Sequence, residues 1–171
     1  VRQQLDTTMT FRDYDHHAIV ATVKCEHAHN NTAWQVFLPD GPLAFLPLYE
    51  PNLVSIVWSV PPEQANTLIA LDDNAFNQQI SAATDGKFGQ VSLLSKRVSY
   101  PLTMRLVHDF VQPRIAFIGD AAHTIHPLAG QGVNLGLLDA ASLAQEIVEI
   151  WQRGEDIGRK RNLRAYERWR K

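Results

Sequence analysis

A single cysteine, Cys25, stands among 171 residues, so no disulfide can close within the chain, and the composition fits a reducing compartment. No apolar run approaches the roughly 20 residues that cross a bilayer, and no signal peptide is visible. No segment is of low complexity, and with 45% hydrophobic residues the chain has enough apolar material for a real core. It opens on Val1 rather than Met, which suggests a processed or excised piece. An excess of one charge is also lacking overall, since the formal net charge is −2.

That balance conceals an asymmetry. Residues 159–171 carry Arg159, Lys160, Arg161, Arg164, Arg168, Arg170 and Lys171 against one acid, Glu167. The segment reads either as a solvated helix face or as a surface that meets anionic lipid or a partner. Nucleic acid is not expected, because no basic patch interleaves with aromatics elsewhere.

The first hundred residues read as an antiparallel meander. Strands are expected over 16–26, 32–38, 43–48 and 53–60, with turns at Pro39-Asp40-Gly41-Pro42 and Glu50-Pro51-Asn52. Pro61-Pro62 then opens a helix with Leu68, Ile69 and Leu71 on its apolar side. A second helix starts at an Asp72 or Asp73 cap, carries Phe76, Ile80 and Ala83, and stops at Asp85-Gly86. Residues 91–100 return to strand, stopped by Pro101, and 105–111 form one more. His27-x-His29 on a strand would point both rings to one face, as a metal site requires, but polar strand-end roles are preferred because no Cys or carboxylate joins them at ligand spacing except Glu26, which faces the other way.

Residues 114–136 organise the rest. Arg114 to Ile118 read as a strand buried on both faces, delivering Gly119-Asp120 at its end. Asp120 either caps a turn or accepts hydrogen bonds from a ligand hydroxyl. His123-x-x-His126 is a poor metal pair, because Pro127 disfavours helix at His126. Gly130-x-Gly132-x-x-x-Gly136 misses the dinucleotide spacing, and a loop precedes it rather than a strand. It does supply a helix start near Gln131 whose uncrowded amides suit an anion. The helix should run to about Arg153 and stop at Gly154. Its polar face is read as Asp139, Ser142, Gln145 or Glu146, Glu149 and Gln152. Gly132, Gly136, Ala140 and Ala144 form a small-residue stripe that admits either a flat ring or another backbone. A last helix from about Ile157 places Leu163, Tyr166 and Trp169 on its apolar side. The fold class expected is α+β: an antiparallel sheet with inserted helices over 1–110, then a strand and helices over 111–171.

Gly119-Asp120-Ala121-Ala122-His123, with His126-Pro127, Gly130-Gln131-Gly132 and Asn134, resembles the second flavin motif of the FAD-dependent aromatic hydroxylases. The run through Gly136, with Phe45-Leu46-Pro47-Leu48, Ser55-Ile56-Val57-Trp58-Ser59 and the tail Asp156-Ile157-Gly158 and Tyr166-Glu167-Arg168, is similar to the ubiquinone-biosynthesis branch. The resemblance implies FAD, reduced by NAD(P)H, and hydroxylation by O2 of the aromatic ring of a polyprenylated substrate, with 1–110 as the substrate-binding domain and 111–171 as the C-terminal part of the FAD-binding domain. It implies that Gly119 and Asp120 serve the ribityl chain, and that Gly130, Gln131, Gly132, Val133 and Asn134 frame the isoalloxazine edge. Pro127 would line the cavity at the flavin ring, with its carbonyl facing the substrate. His126 beside it is the candidate acid–base group, with a structural role as its alternative. Val1-Arg2 looks like the end of the family's middle motif, with Arg2 its arginine. The unit that holds the ADP half would then lie upstream of Val1. A cytoplasmic enzyme at the periphery of the inner membrane follows, in contact with lipid or with a ubiquinone-biosynthesis complex. The competing reading is a non-catalytic fragment or interaction module that cannot hold FAD without the missing unit.

Overall fold

The computed structural model describes residue 5, residues 7–126 and residues 130–171. Arg2 and Pro127, two of the expected site residues, lie outside the described residues. The fold is α+β as expected. The chain divides into two compact units, Asp15–Leu102 (the central unit) and Val1–Tyr14 with Thr103–Lys171 (the terminal unit).

The central unit is built on strands β1 (Met9–Cys25, whose start belongs to the terminal unit), β2 (Trp34–Leu38), β3 (Gly41–Pro47) and β4 (Leu53–Val60). They pair antiparallel in the order β2-β3-β4-β1, with β5 (Val91–Leu93) also on β1. The turn residues set this register. Gly41 takes φ 134° where β2 returns into β3, a conformation side chains rarely adopt. Alternation along β1 and β4 delivers Ile19, Val23, Val54, Ile56 and Trp58 to a common core. Helices α1 (Pro62–Ala70) and α2 (Asp73–Ala83) add Leu68, Phe76 and Ile80 to it.

The local signals act as their chemistry requires. Asp72 caps α2 by accepting from the Ala75 amide at 2.8 Å. Asp85, at φ 50°, and Gly86 close its far end with amide bonds to the Ala82 and Ser81 carbonyls. Arg97, which no periodicity marks, donates to the Leu68 and Leu71 carbonyls at the end of α1 and lies over the Phe76 ring.

Three expectations need correction here. Residues 91–100 are not one strand: the pairing breaks after β5, and β6 (Val98–Val107) runs straight through Pro101. The expected strand from Arg105 is therefore the end of β6, followed by the separate β7 (Val111–Gln112). His27 and His29 are not on a strand, because β1 ends at Cys25. His29 is buried in the following turn, where its Nε2 donates to the Glu50 carbonyl and its Nδ1 accepts from the Asn31 amide, so both ring nitrogens are committed.

Cys25 sits in this core, 2% exposed, and burial pushes its thiol up to about 11. It is expected to react with an aromatic disulfide reagent at pH 8 at least about a hundredfold more slowly in the folded chain than in urea. Equal rates would show that the β1–β5 edge opens freely.

In the terminal unit β7 and β8 (Ile115–Ala116) form a two-stranded pair, and β9 (His123–Thr124) pairs with the end of β6. Helices α3 (Gln131–Gln152) and α4 (Lys160–Arg170) complete it. Their core holds Val107, Phe110, Phe117, Ile150, Leu163 and Tyr166. The end of α3 is a two-bond C-cap in which Gly154, φ 70°, donates to the Trp151 carbonyl and Glu155 to that of Ile150. α4 starts at Lys160 rather than Ile157, because Asp156 holds residues 158–162 in a turn through the amides of Gly158 and Arg159 and the side chain of Asn162.

Candidate functional site

The strand expected over 114–118 is shorter and less buried than its composition suggested. Arg114 takes φ 63°, only Ile115–Ala116 pair, and Ile118 is 39% exposed. Of the apolar run only Phe117 is fully buried, with Ile115 and Ala116 packed part-buried against the same core. Its carbonyl accepts from the Tyr166 hydroxyl of α4 at 2.6 Å. Burial, and then the nearby Asp139 charge, hold that phenol above its ordinary pKa, so it stays a neutral donor.

Gly119–Ala121 then make one 3-10 turn. Gly119 takes φ 54°, which suits glycine, and puts exposed Asp120 in the first turn. Behind it lies Gly136 of α3, where an added Cβ would meet the Gly119 Cα at 3.3 Å. Of the two readings of the small-residue stripe, close backbone packing is therefore the one realised at Gly136.

The residue the polar-face reading misplaced is Asp139. It is fully buried, with 0% exposure, rather than facing water. Its Oδ2 accepts from the Gly119 amide at 2.8 Å and from His123 Nε2 at 2.7 Å; its Oδ1 accepts from Arg170 Nε at 2.5 Å. Burial alone would raise this carboxyl's pKa. The Arg170, Gly119 and His123 hydrogen bonds outweigh burial and hold it below the usual carboxylate value. A signal was present in the sequence: Asp139 falls two turns after Gly132 and on the same helix face as Leu143, Ile147 and Ile150.

The basic tail divides accordingly. Arg170 is not part of a solvated face, since its side chain is only 16% exposed and also donates to the Leu135 carbonyl. Lys171 donates to the His108 carbonyl and pairs with Glu167, which accepts from the Phe110 amide. Arg161, Arg164 and Arg168 remain exposed. Trp169, expected on the apolar side with Leu163 and Tyr166, is 81% exposed.

The remaining site candidates lie close along the chain. His123 is on β9 and stacks on Phe110, with ring centroids 5.9 Å apart. Half-buried His126 meets Tyr14 edge-on at 4.9 Å. Gly130 takes φ 63° as the N-cap of α3, with no side-chain cap, and no acidic residue stands in the helix's first turn. Among the described residues, a Cβ built at Gly130 or Gly132 would meet nothing within 4 Å. Gln131, Val133 and Asn134 are exposed. Among those residues the helix start is thus open, partly positive and uncrowded. The exposed face of α3 is not purely polar: Val133, Leu137, Val148 and Trp151 are all at least 48% exposed.

Among known proteins, the chain is 38% identical over 201 residues to human "Ubiquinone biosynthesis monooxygenase COQ6, mitochondrial", covering 98% of this chain and 43% of the relative. It is 39% identical over 155 residues to the 3-demethoxyubiquinol 3-hydroxylase of Escherichia coli K12 (91% and 39% covered). It is 37% identical over 171 residues to the ubiquinone hydroxylase UbiL of Rhodospirillum rubrum (100% and 40% covered). The chain thus spans less than half the length of these curated relatives. In fold it is similar to PqsL of Pseudomonas aeruginosa, a probable FAD-dependent monooxygenase, with a TM-score of 0.75 at 23% identity, covering 99% of this chain and 47% of that one. The model of the FAD binding domain family matches residues 1–171, and the chain belongs to that family.

Proposed function

We propose that the whole protein is a flavin-dependent monooxygenase that hydroxylates the aromatic ring of a polyprenylated ubiquinone precursor, with FAD as cofactor, NAD(P)H as reductant and O2 as oxygen source. The relatives named for ubiquinone biosynthesis support the substrate class. One observation of the structure carries the reading. The 3-10 turn presents exposed Asp120, and some ten residues on, the open and uncapped start of α3 offers amides. These residues fit the ribityl and ring portion of FAD. In this assignment Asp120 accepts from ribityl hydroxyls, and the amides around Gly132, Val133 and Asn134 stabilise negative charge at the ring edge.

When bound, the flavin supplies the redox chemistry. The chain's own residues bind and orient it, exclude water and hold the developing charge. Gly130, Gln131 and Gly132 keep the approach open. Pro127 and His126 are assigned to the substrate side of the ring, and Arg2 to the cofactor's outer part. The central unit is assigned to the substrate, and the terminal unit to the flavin.

Among the described residues, no helix is long and apolar enough to cross a membrane. Exposed Arg161, Arg164, Arg168 and Trp169 on α4 support a peripheral contact with anionic lipid or with a complex that delivers the prenylated substrate. The exposed apolar strip of α3, on a chain spanning less than half of its relatives, supports a second reading: that this segment by itself does not hold FAD and needs the rest of the protein.

Two measurements test these readings. Chain 1–171 mixed with FAD and passed through gel filtration should retain little flavin, whereas the full-length protein retains it stoichiometrically; stoichiometric retention by the short chain would sink the second reading. In the full-length protein Asp120→Ala should weaken FAD affinity about tenfold or more, the scale of a lost hydrogen bond to a charged group. Parental affinity would remove Asp120 from the site.

A further inference from the structure

Gly119 is held more tightly than an ordinary loop glycine. Its φ of 54° is fixed, its Cα packs against Gly136, and its amide donates to a carboxylate with no exposed surface. The chain on either side is held as well: the Phe117 carbonyl by the Tyr166 hydroxyl, and His123 by the same Oδ2 that takes the Gly119 amide. Tyr166 and Arg170 are one turn apart on α4, so a single helix face reaches both the turn and the carboxylate. All of this converges one residue before Asp120.

We propose that Asp139 is a positioning residue for FAD: through the Gly119 amide it fixes the turn that presents Asp120, without touching the cofactor. The proposal rests on the assignment of Asp120 to the cofactor, and it adds a residue that contacts no part of the candidate site's open surface. An ionised carboxylate can accept from all three donors at once. A side-chain amide cannot, because one of its two ends is itself a donor. In Asp139→Asn the charged Arg170 competes for the single oxygen and turns the NH2 toward the Gly119 N–H. The Gly119 amide then loses its acceptor and the turn its reference point. Removing the competitor should reverse this, since in Asp139→Asn/Arg170→Leu the oxygen is free to face Gly119 and His123.

The experiment uses the full-length protein stripped of flavin and titrated with FAD, read by fluorescence quenching and by the visible flavin spectrum, well below each variant's melting temperature. Asp139→Asn should bind FAD about tenfold more weakly. The double variant should recover most of that affinity and the parental spectrum, even where its melting temperature is lower still. A purely structural role predicts the opposite order, with the double variant the weaker binder, and that result overturns the proposal. So does parental affinity in Asp139→Asn while Asp120→Ala weakens binding. If Asp120→Ala also binds FAD like the parent, the assignment of the site fails first and the positioning role falls with it. A second measurement does not need the variants to fold: in the parent apoprotein, the Gly119 amide should exchange hydrogen as slowly as the core amides of α3. Exchange at loop rates would equally overturn the proposal.

Discussion

Asp139→Ala should destabilise the terminal unit by about 3 kcal/mol, at the low end of the cost of breaking a buried charge pair. The substitution takes the acceptor from three donors, the Gly119 amide, His123 Nε2 and Arg170 Nε, and leaves the guanidinium, among the described residues, only the Leu135 carbonyl. The Arg170 side chain, 16% exposed, has a short route to water, which keeps the cost from rising further. Urea denaturation, with α3 and α4 followed by hydrogen exchange, measures it, and a change below about 1 kcal/mol would mean that the network relaxes freely. The surface pair Arg153–Glu155 gives the contrast: both partners are more than two-fifths exposed, so Glu155→Ala should stay within about 0.5 kcal/mol. The same carboxylate sets an acid limit. Its folded pKa is depressed from 3.8, so its contribution is complete above about pH 4 and is lost as the pH falls through the folded value. In Asp139→Ala the acid transition should lose this component and flatten below pH 4.

Replacing Asp139, His123 and Arg170 together by apolar residues of similar size separates stability from function. Such exchanges of whole buried ionic groups are often close to neutral in stability. The Gly119 amide would still have no acceptor. A stable triple variant that binds FAD weakly would show that the network is kept for the geometry of the turn rather than for the folding of the unit.

The sequence made most of the central unit legible because its signals are local. The Asp72 cap, the Asp85-Gly86 stop and the strand over 53–60 each depend on residues within a few positions of one another, and all appear where the chemistry places them. Pro101 misled because proline is excluded only where a strand must donate at that position, and β6 runs through it. The candidate site was legible as an acid, a turn and a glycine-led helix start. What holds it was not, because Asp139 meets His123 and Arg170, and Tyr166 meets Phe117, across separations of 16 to 49 residues. Residue type puts Asp139 on the polar face, whereas its helical position puts it among Leu143, Ile147 and Ile150. Residue type likewise puts Trp169 inside and Arg170 outside, and the structure reverses both. A charged residue on the small-residue side of a tightly packed helix is better read as a buried partner in search of donors.

Gly41→Ala should cost the central unit about 3 kcal/mol or more, while Gly86→Ala should cost only about 1 kcal/mol. Both glycines have positive φ, but 67° lies in the left-handed region that other residues can enter, whereas 134° lies outside it. Their surroundings separate them further. Among the described residues a Cβ at Gly86 meets nothing within 4 Å, whereas one at Gly41 would stand 2.3 Å from the Ser59 carbonyl oxygen. That obstacle is backbone, in the middle of a sheet. Ser59 pairs with Ala18 of β1, and β3 is paired on both sides, so neither strand can yield without breaking ladder bonds. Relief would require β3 to lift from β4, exposing Leu43 and Phe45, which are buried in the core between sheet and helices. Urea midpoints of the two variants, with denaturant slopes compared to confirm a common unfolded state, decide it. Equal midpoints would mean that the start of β3 moves aside easily, within the unit that the proposed function assigns to the substrate.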